Sequence, residues 1–122
     1  MLLSTALKGM TRHREALLEV GGASNPSLIS ENTHRLAQYI AVAEEKLADL
    51  EEELEIKESD SFNQHIKEGK SVNAAKESVR REFTRERAQI IKVTRLVSSG
   101  WKLVSESQSR VKHLIAEANS QI

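Results

Sequence analysis

The chain has no cysteine, a single proline, five glycines among 122 residues, and only 3% aromatic residues. The missing cysteine excludes disulfide staples, thiolate metal ligands and cysteine nucleophiles. With so few aromatics, burial has to come from Leu, Ile, Val and Ala arranged in narrow seams. Long apolar runs are absent too, far short of the roughly 20 residues that cross a bilayer. Met1-Leu2-Leu3 leads into Lys8, Arg12 and Arg14 without a signal-peptide core. These absences predict one small cytoplasmic domain.

What the chain does have is charge, at 30% of residues, and helical periodicity. That composition fits the long-helix and coiled-coil class. Leu3, Leu7, Met10, Leu17 and Leu18 predict a short amphipathic helix over residues 1–20. Gly21-Gly22-Ala23-Ser24-Asn25-Pro26-Ser27 reads as a linker, 21–29, with Ser27 or Ser30 as a cap for the second helix. From about Ser30 to Glu58, Leu36, Ile40, Ala43, Leu47, Leu50 and Leu54 recur at alternating spacings of 4 and 3, the mark of a coiled-coil seam. A turn is expected near 59–71, with Gly69 ending a helical segment and Ser71 capping the next. The last helix is expected to run without a break from about Val72 to Asn119, carrying Val79, Phe83, Ile90, Val93, Val97, Val104, Val111, Leu114 and Ala118 on a similar ladder.

The predicted fold is therefore all-α, an antiparallel coiled-coil hairpin over 30–122 with a short N-terminal helix. A fold-back at Gly69 would leave everything from Gly100 onward overhanging. Trp101, Val104, Val111, Leu114 and Ile115 would then offer an apolar surface for a second copy, and a homo-oligomer built on the C-terminal region is expected.

The formal net charge of zero hides a division. Residues 1–64 hold six Lys/Arg against twelve Asp/Glu, a balance of −6, while residues 65–122 hold twelve against six, a balance of +6. This division has two readings. The acidic and basic helices pair with each other, or the basic one contacts a polyanion through Arg80, Arg81, Arg85, Arg87, Lys92 and Arg95, whose guanidinium and ammonium groups can track a phosphate backbone. Trp101 beside Lys102 adds an aromatic able to stack on a base, although core or interface packing is the simpler account of it.

Catalytic constellations do not emerge. His13, His34, His65 and His113 stand in no metal-binding motif and read as surface histidines, and Glu51-Glu52-Glu53 reads as a solvated face. Gly69-Lys70-Ser71 lacks the upstream glycine and strand of a phosphate loop. No catalytic residue, metal or cofactor is expected, nor a membrane partner, since three basic residues among few bulky apolar ones make the N-terminal helix a poor anchor.

The helix Thr33-His34-Arg35-Leu36-Ala37-Gln38-Tyr39, the turn Glu68-Gly69-Lys70-Ser71 and the tail Ser109-Arg110-Val111-Lys112-His113-Leu114-Ile115 give the stretch 30–118 an architecture that resembles the small recombination-mediator (UvsY) family of T4-type phages. The resemblance implies a ring-forming, non-enzymatic helical protein in the host cytoplasm. Such a protein binds single-stranded DNA and helps load a RecA-type recombinase onto strands covered by single-strand binding protein, with Ser109–Ile115 as the oligomerisation element. The alternative is a coiled-coil scaffold or inhibitor that docks helix against helix and has no nucleic-acid role.

Overall fold

The computed structural model describes residues 1–19 and 25–121, and within them the chain is all-helical. It forms α1 (Leu3–Leu18), α2 (Pro26–Lys67), α3 (Val72–Glu82) and α4 (Thr84–Ser120). Residues 21–24 of the expected linker lie outside the described part. Two compact units result, one of Met1–Lys46 with Arg95–Ile122 and one of Leu47–Thr94. Among the described residues no helix is long and apolar enough to cross a membrane.

The start of α2 corrects the expected linker boundary and cap. Asn25 is the capping residue: its side-chain oxygen accepts from the backbone N–H of Leu28 at 3.2 Å, and its carbonyl accepts from Ile29. Pro26 takes the first helical position, where its missing N–H costs nothing and its fixed φ suits the helix. The helix thus begins four residues before Ser30, and Ile29 and Thr33 join its buried stripe.

The far end of α2 also differs from expectation. The helix continues through 59–67, and the turn occupies only Glu68 to Ser71. Lys70 N–H donates to the His65 carbonyl and Gly69 N–H to the Ile66 carbonyl, the crossed pair of bonds that closes a helix on a left-handed residue. Gly69 has φ 91°, where a side chain would be strained. Ser71 then caps α3 by accepting from the Ala74 N–H at 3.2 Å.

The expected unbroken last helix is interrupted at Phe83, whose φ −110° and ψ 23° leave the helical range. Side chains supply donors there: the Thr84 hydroxyl donates to the Arg80 and Arg81 carbonyls at 3.0 and 3.2 Å.

In the first unit, α1 buries Ala6, Gly9, Met10, His13 and Leu17. His13 is not a surface histidine. Its ring stacks on Tyr39 with centroids 5.6 Å apart, and Nδ1 lies 2.9 Å from the Asn32 side-chain oxygen. Asn32 spends its amide N–H on the Leu28 carbonyl, so its oxygen must accept and His13 carries its proton on Nδ1. Gly100 faces Ile40 and Met10, and Val104 and Ser107 are buried. The expected overhang from Gly100 onward is therefore corrected: the earlier start of α2 extends its cover along α4. In the second unit, Leu47, Leu54, Ala75, Val79 and Val93 are buried.

A Cβ on Gly9 would sit 2.5 Å from the Tyr39 ring, which is pinned by the His13 stack. Alanine in a helix ordinarily gains about 1 kcal/mol over glycine, but overpacking of this kind costs about 1–3 kcal/mol. Gly9→Ala is therefore expected to lower the urea midpoint of the first unit despite its better helix propensity. Unchanged or increased stability would refute the close approach.

Candidate nucleic-acid interface

The basic residues that the sequence marks as candidates are distributed by the break at Phe83. Arg80 and Arg81 end α3, and both reach back to Glu77, at 3.2 and 3.4 Å. Their side chains remain 72% and 79% exposed, so these pairs are solvated and weak. Arg85 and Lys92 lie seven residues apart on α4, on one side of the helix. Both are exposed, and neither makes an ion pair among the described residues.

Arg87 is different. Its guanidinium donates to the Val79 carbonyl at 3.1 Å and to the Arg80 carbonyl, and stands 3.9 Å from Glu58. It bonds backbone groups beside the break and so is not available as a phosphate contact. Arg95 belongs to the first unit and is exposed.

The expected pairing of acidic with basic helix is thus sparse in the second unit. Among the described residues, Arg87 is the one member of the basic set that reaches a carboxylate of α2. The other contacts between α2 and α3 centre on Glu82, a residue that no motif or spacing marks in the sequence. Ser61 donates to one of its oxygens at 2.6 Å, and His65 Nε2 lies 2.5 Å from the other. Lys70 Nζ lies 2.8 Å from His65 Nδ1 and 3.4 Å from the Ser78 hydroxyl. An ammonium can only donate, so Nδ1 accepts and the imidazole proton stands on Nε2, aimed at Glu82. Glu68 is the next neighbour of Nδ1, at 3.7 Å. The hydrogen bonds from Ser61 and His65, with the nearby Lys70 charge, hold the Glu82 carboxyl below its ordinary value of 4.5.

The C-terminal residues expected at an interface separate in the same way. Val104 is only 5% exposed and is packed inside its own unit, so it has no surface to offer a partner. Trp101 is 38% and Ile115 48% exposed, while Val111 and Leu114 are half-buried. The Trp101 indole N–H donates to the Glu44 carboxylate across the first unit. His113 pairs only with Glu117 of its own helix. Among the described residues no three His, Asp or Glu side chains come together as a metal site.

The chain matches no protein-family model, no curated protein and no solved structure.

Because the Glu82 carboxyl is held below its unfolded value, its contribution to stability is present above that value and is lost as pH falls through the folded one. The stability difference between the wild type and Glu82→Gln, measured by urea unfolding, is expected to be largest near neutrality and to shrink below about pH 4.5. A difference that stays constant to pH 3 would contradict the assigned hydrogen bonds.

Proposed function

We propose that this chain is a non-enzymatic accessory protein of the phage recombination-mediator kind that binds single-stranded DNA. In this reading it folds as an antiparallel coiled-coil hairpin and acts as a homo-oligomer. The observation that carries the reading is the unpaired charge of the basic segment. Arg85 and Lys92 project from one side of α4 without a carboxylate partner, next to Arg80 and Arg81, whose pairs with Glu77 are solvated. Neutralising phosphates with such groups releases condensed counterions, which supplies affinity without sequence preference. Arg95 adds a further exposed cation on the same helix. Recombinase loading would come from presenting the strand to a RecA-type recombinase while single-strand binding protein is displaced.

Two observations support the finer parts of the proposal. In the second unit the partners of α2 fall in number as its own residues rise, Glu58 with Arg87 and His65 with Glu82, as antiparallel helices require. In the first unit, Trp101 and Ile115 stand on one side of α4 two heptads apart and leave apolar surface for a second copy, with Val111 and Leu114 beside them. A coiled-coil scaffold without a nucleic-acid role is the second reading. It is favoured by the exposed Ile56, Ile66, Val72 and Ile91 of the second unit, which would suit a partner helix.

Fluorescence anisotropy with a labelled single-stranded oligonucleotide across a salt series separates the two. Each phosphate contact adds about 0.7 to the slope of log affinity against log salt. The Arg85→Ala, Lys92→Ala double variant is therefore expected to lose about 1.4 from that slope. Arg87→Ala should leave the slope unchanged and lower stability in urea unfolding by about 1 kcal/mol, because it strips bonds from two carbonyls. Absence of binding at all salt concentrations would leave the scaffold reading. Light scattering that reports a monomer at every concentration, for wild type and Ile115→Glu alike, would remove the oligomer from the proposal.

A further inference from the structure

The first unit contains a groove of about 450 Å³ between the start of α2 and the end of α4, to which no residue of α1 contributes. It opens where the seam is built from small residues. Thr33, Ala37 and the buried Ser107 occupy positions where aliphatic side chains would otherwise close the space. The Thr33 hydroxyl donates to the Ile29 carbonyl at 2.6 Å and is therefore spent, which leaves its methyl group, Ala37 and Val111 as an apolar floor.

The rim is polar and one-sided in charge. Ser30 and His34 on α2 face Gln108 and Lys112 on α4, and no carboxylate lines the groove. None of these four side chains forms a hydrogen bond or ion pair among the described residues. Four donors around an apolar floor, with a permanent cation among them, match a negative head joined to an apolar body. The volume lies within the range of small-molecule sites, about 300–1,000 Å³.

We propose that this groove binds a small organic anion, its head on Lys112 with Ser30, His34 and Gln108, and its apolar body on Ala37 and Val111. Lys112 supplies most of the selection, because an ammonium is a point charge and accepts any anionic head it can reach. The inference stands on the first unit alone and does not rest on the nucleic-acid reading.

Titration of the full chain with anilinonaphthalene sulfonate at neutral pH, monitored by fluorescence, tests it. Saturable one-site binding is expected, with inorganic phosphate unable to displace the probe because it has no apolar body. Lys112→Glu, on the groove rim, is expected to weaken binding by about tenfold or more, and uncharged phenylnaphthylamine to bind weaker than the sulfonate by a similar factor. Ala37→Leu fills the floor, leaves every polar group in place and should abolish binding with the helical circular dichroism retained. Should Ala37→Leu fail to fold, Lys112→Glu and the uncharged probe still decide the matter. Equal binding of both probes, or sulfonate binding indifferent to Lys112→Glu, would overturn the proposal and assign the signal to exposed apolar surface around Trp101 and Ile115. Displacement of the probe by a single-stranded oligonucleotide would also overturn it, by making the groove part of a nucleic-acid path.

Discussion

Close approach of helix backbones over small residues is the constraint on which the first unit depends. Tyr39 lies over Gly9 with no room for a Cβ between them, and Ile40 lies over Gly100 in a similar way. Because the helices meet at glycine, the flanking positions can bury Ala6, Met10, Leu36 and Val104 even though the chain has almost no aromatic bulk to fill a wider gap. His13 is drawn into the same contact. It stacks on the Tyr39 ring and hydrogen bonds Asn32, so a titratable side chain becomes part of the packing. The small residues that allow this closeness leave space elsewhere, and the groove along Thr33 and Ala37 is the consequence.

The second unit solves a different problem, that of closing helix ends and a helix break without much apolar area. Polar side chains satisfy the backbone there. Gly69 and Ser71 close the turn, Thr84 serves the carbonyls at the Phe83 break, and Arg87 bonds two of the neighbouring carbonyls while approaching Glu58. Glu82 gathers Ser61 and His65 from α2 onto α3. These roles consume some of the charge that composition alone assigns to a partner. What remains unpaired, chiefly Arg85 and Lys92, is the basis of the proposed DNA contact.

Much of the helical layout was legible because periodicity reports burial directly. The 4/3 stripe of Leu36, Ile40, Ala43, Leu47 and Leu54 is buried as its spacing requires, and so are Val79, Val93, Val97 and Val104. Helix ends were less legible. Asn25-Pro26 reads as a turn in a linear scan, yet the same pair is a good cap and first helical residue, and only the Leu28 hydrogen bond distinguishes them. The break at Phe83 had no proline or glycine to announce it. Of the candidate site residues, Arg87 and Val104 went elsewhere than expected, for one reason: a residue's chemical type tells what it can do, while its availability depends on which neighbours reach it first.

The amino-acid order by itself determined that this protein is helical, that Gly69 and Ser71 separate two of its helices, and that its charge is divided between halves, because these come from local propensity, periodicity and counting. Tertiary structure alone decided that Gly9 and His13 are interior, that Glu82 is a hydrogen-bonded hub, and which cations keep their charge free. Those outcomes depend on contacts between residues distant along the chain, such as Gly9 with Tyr39 and Ser61 with Glu82, and a one-dimensional pattern carries no record of such distances.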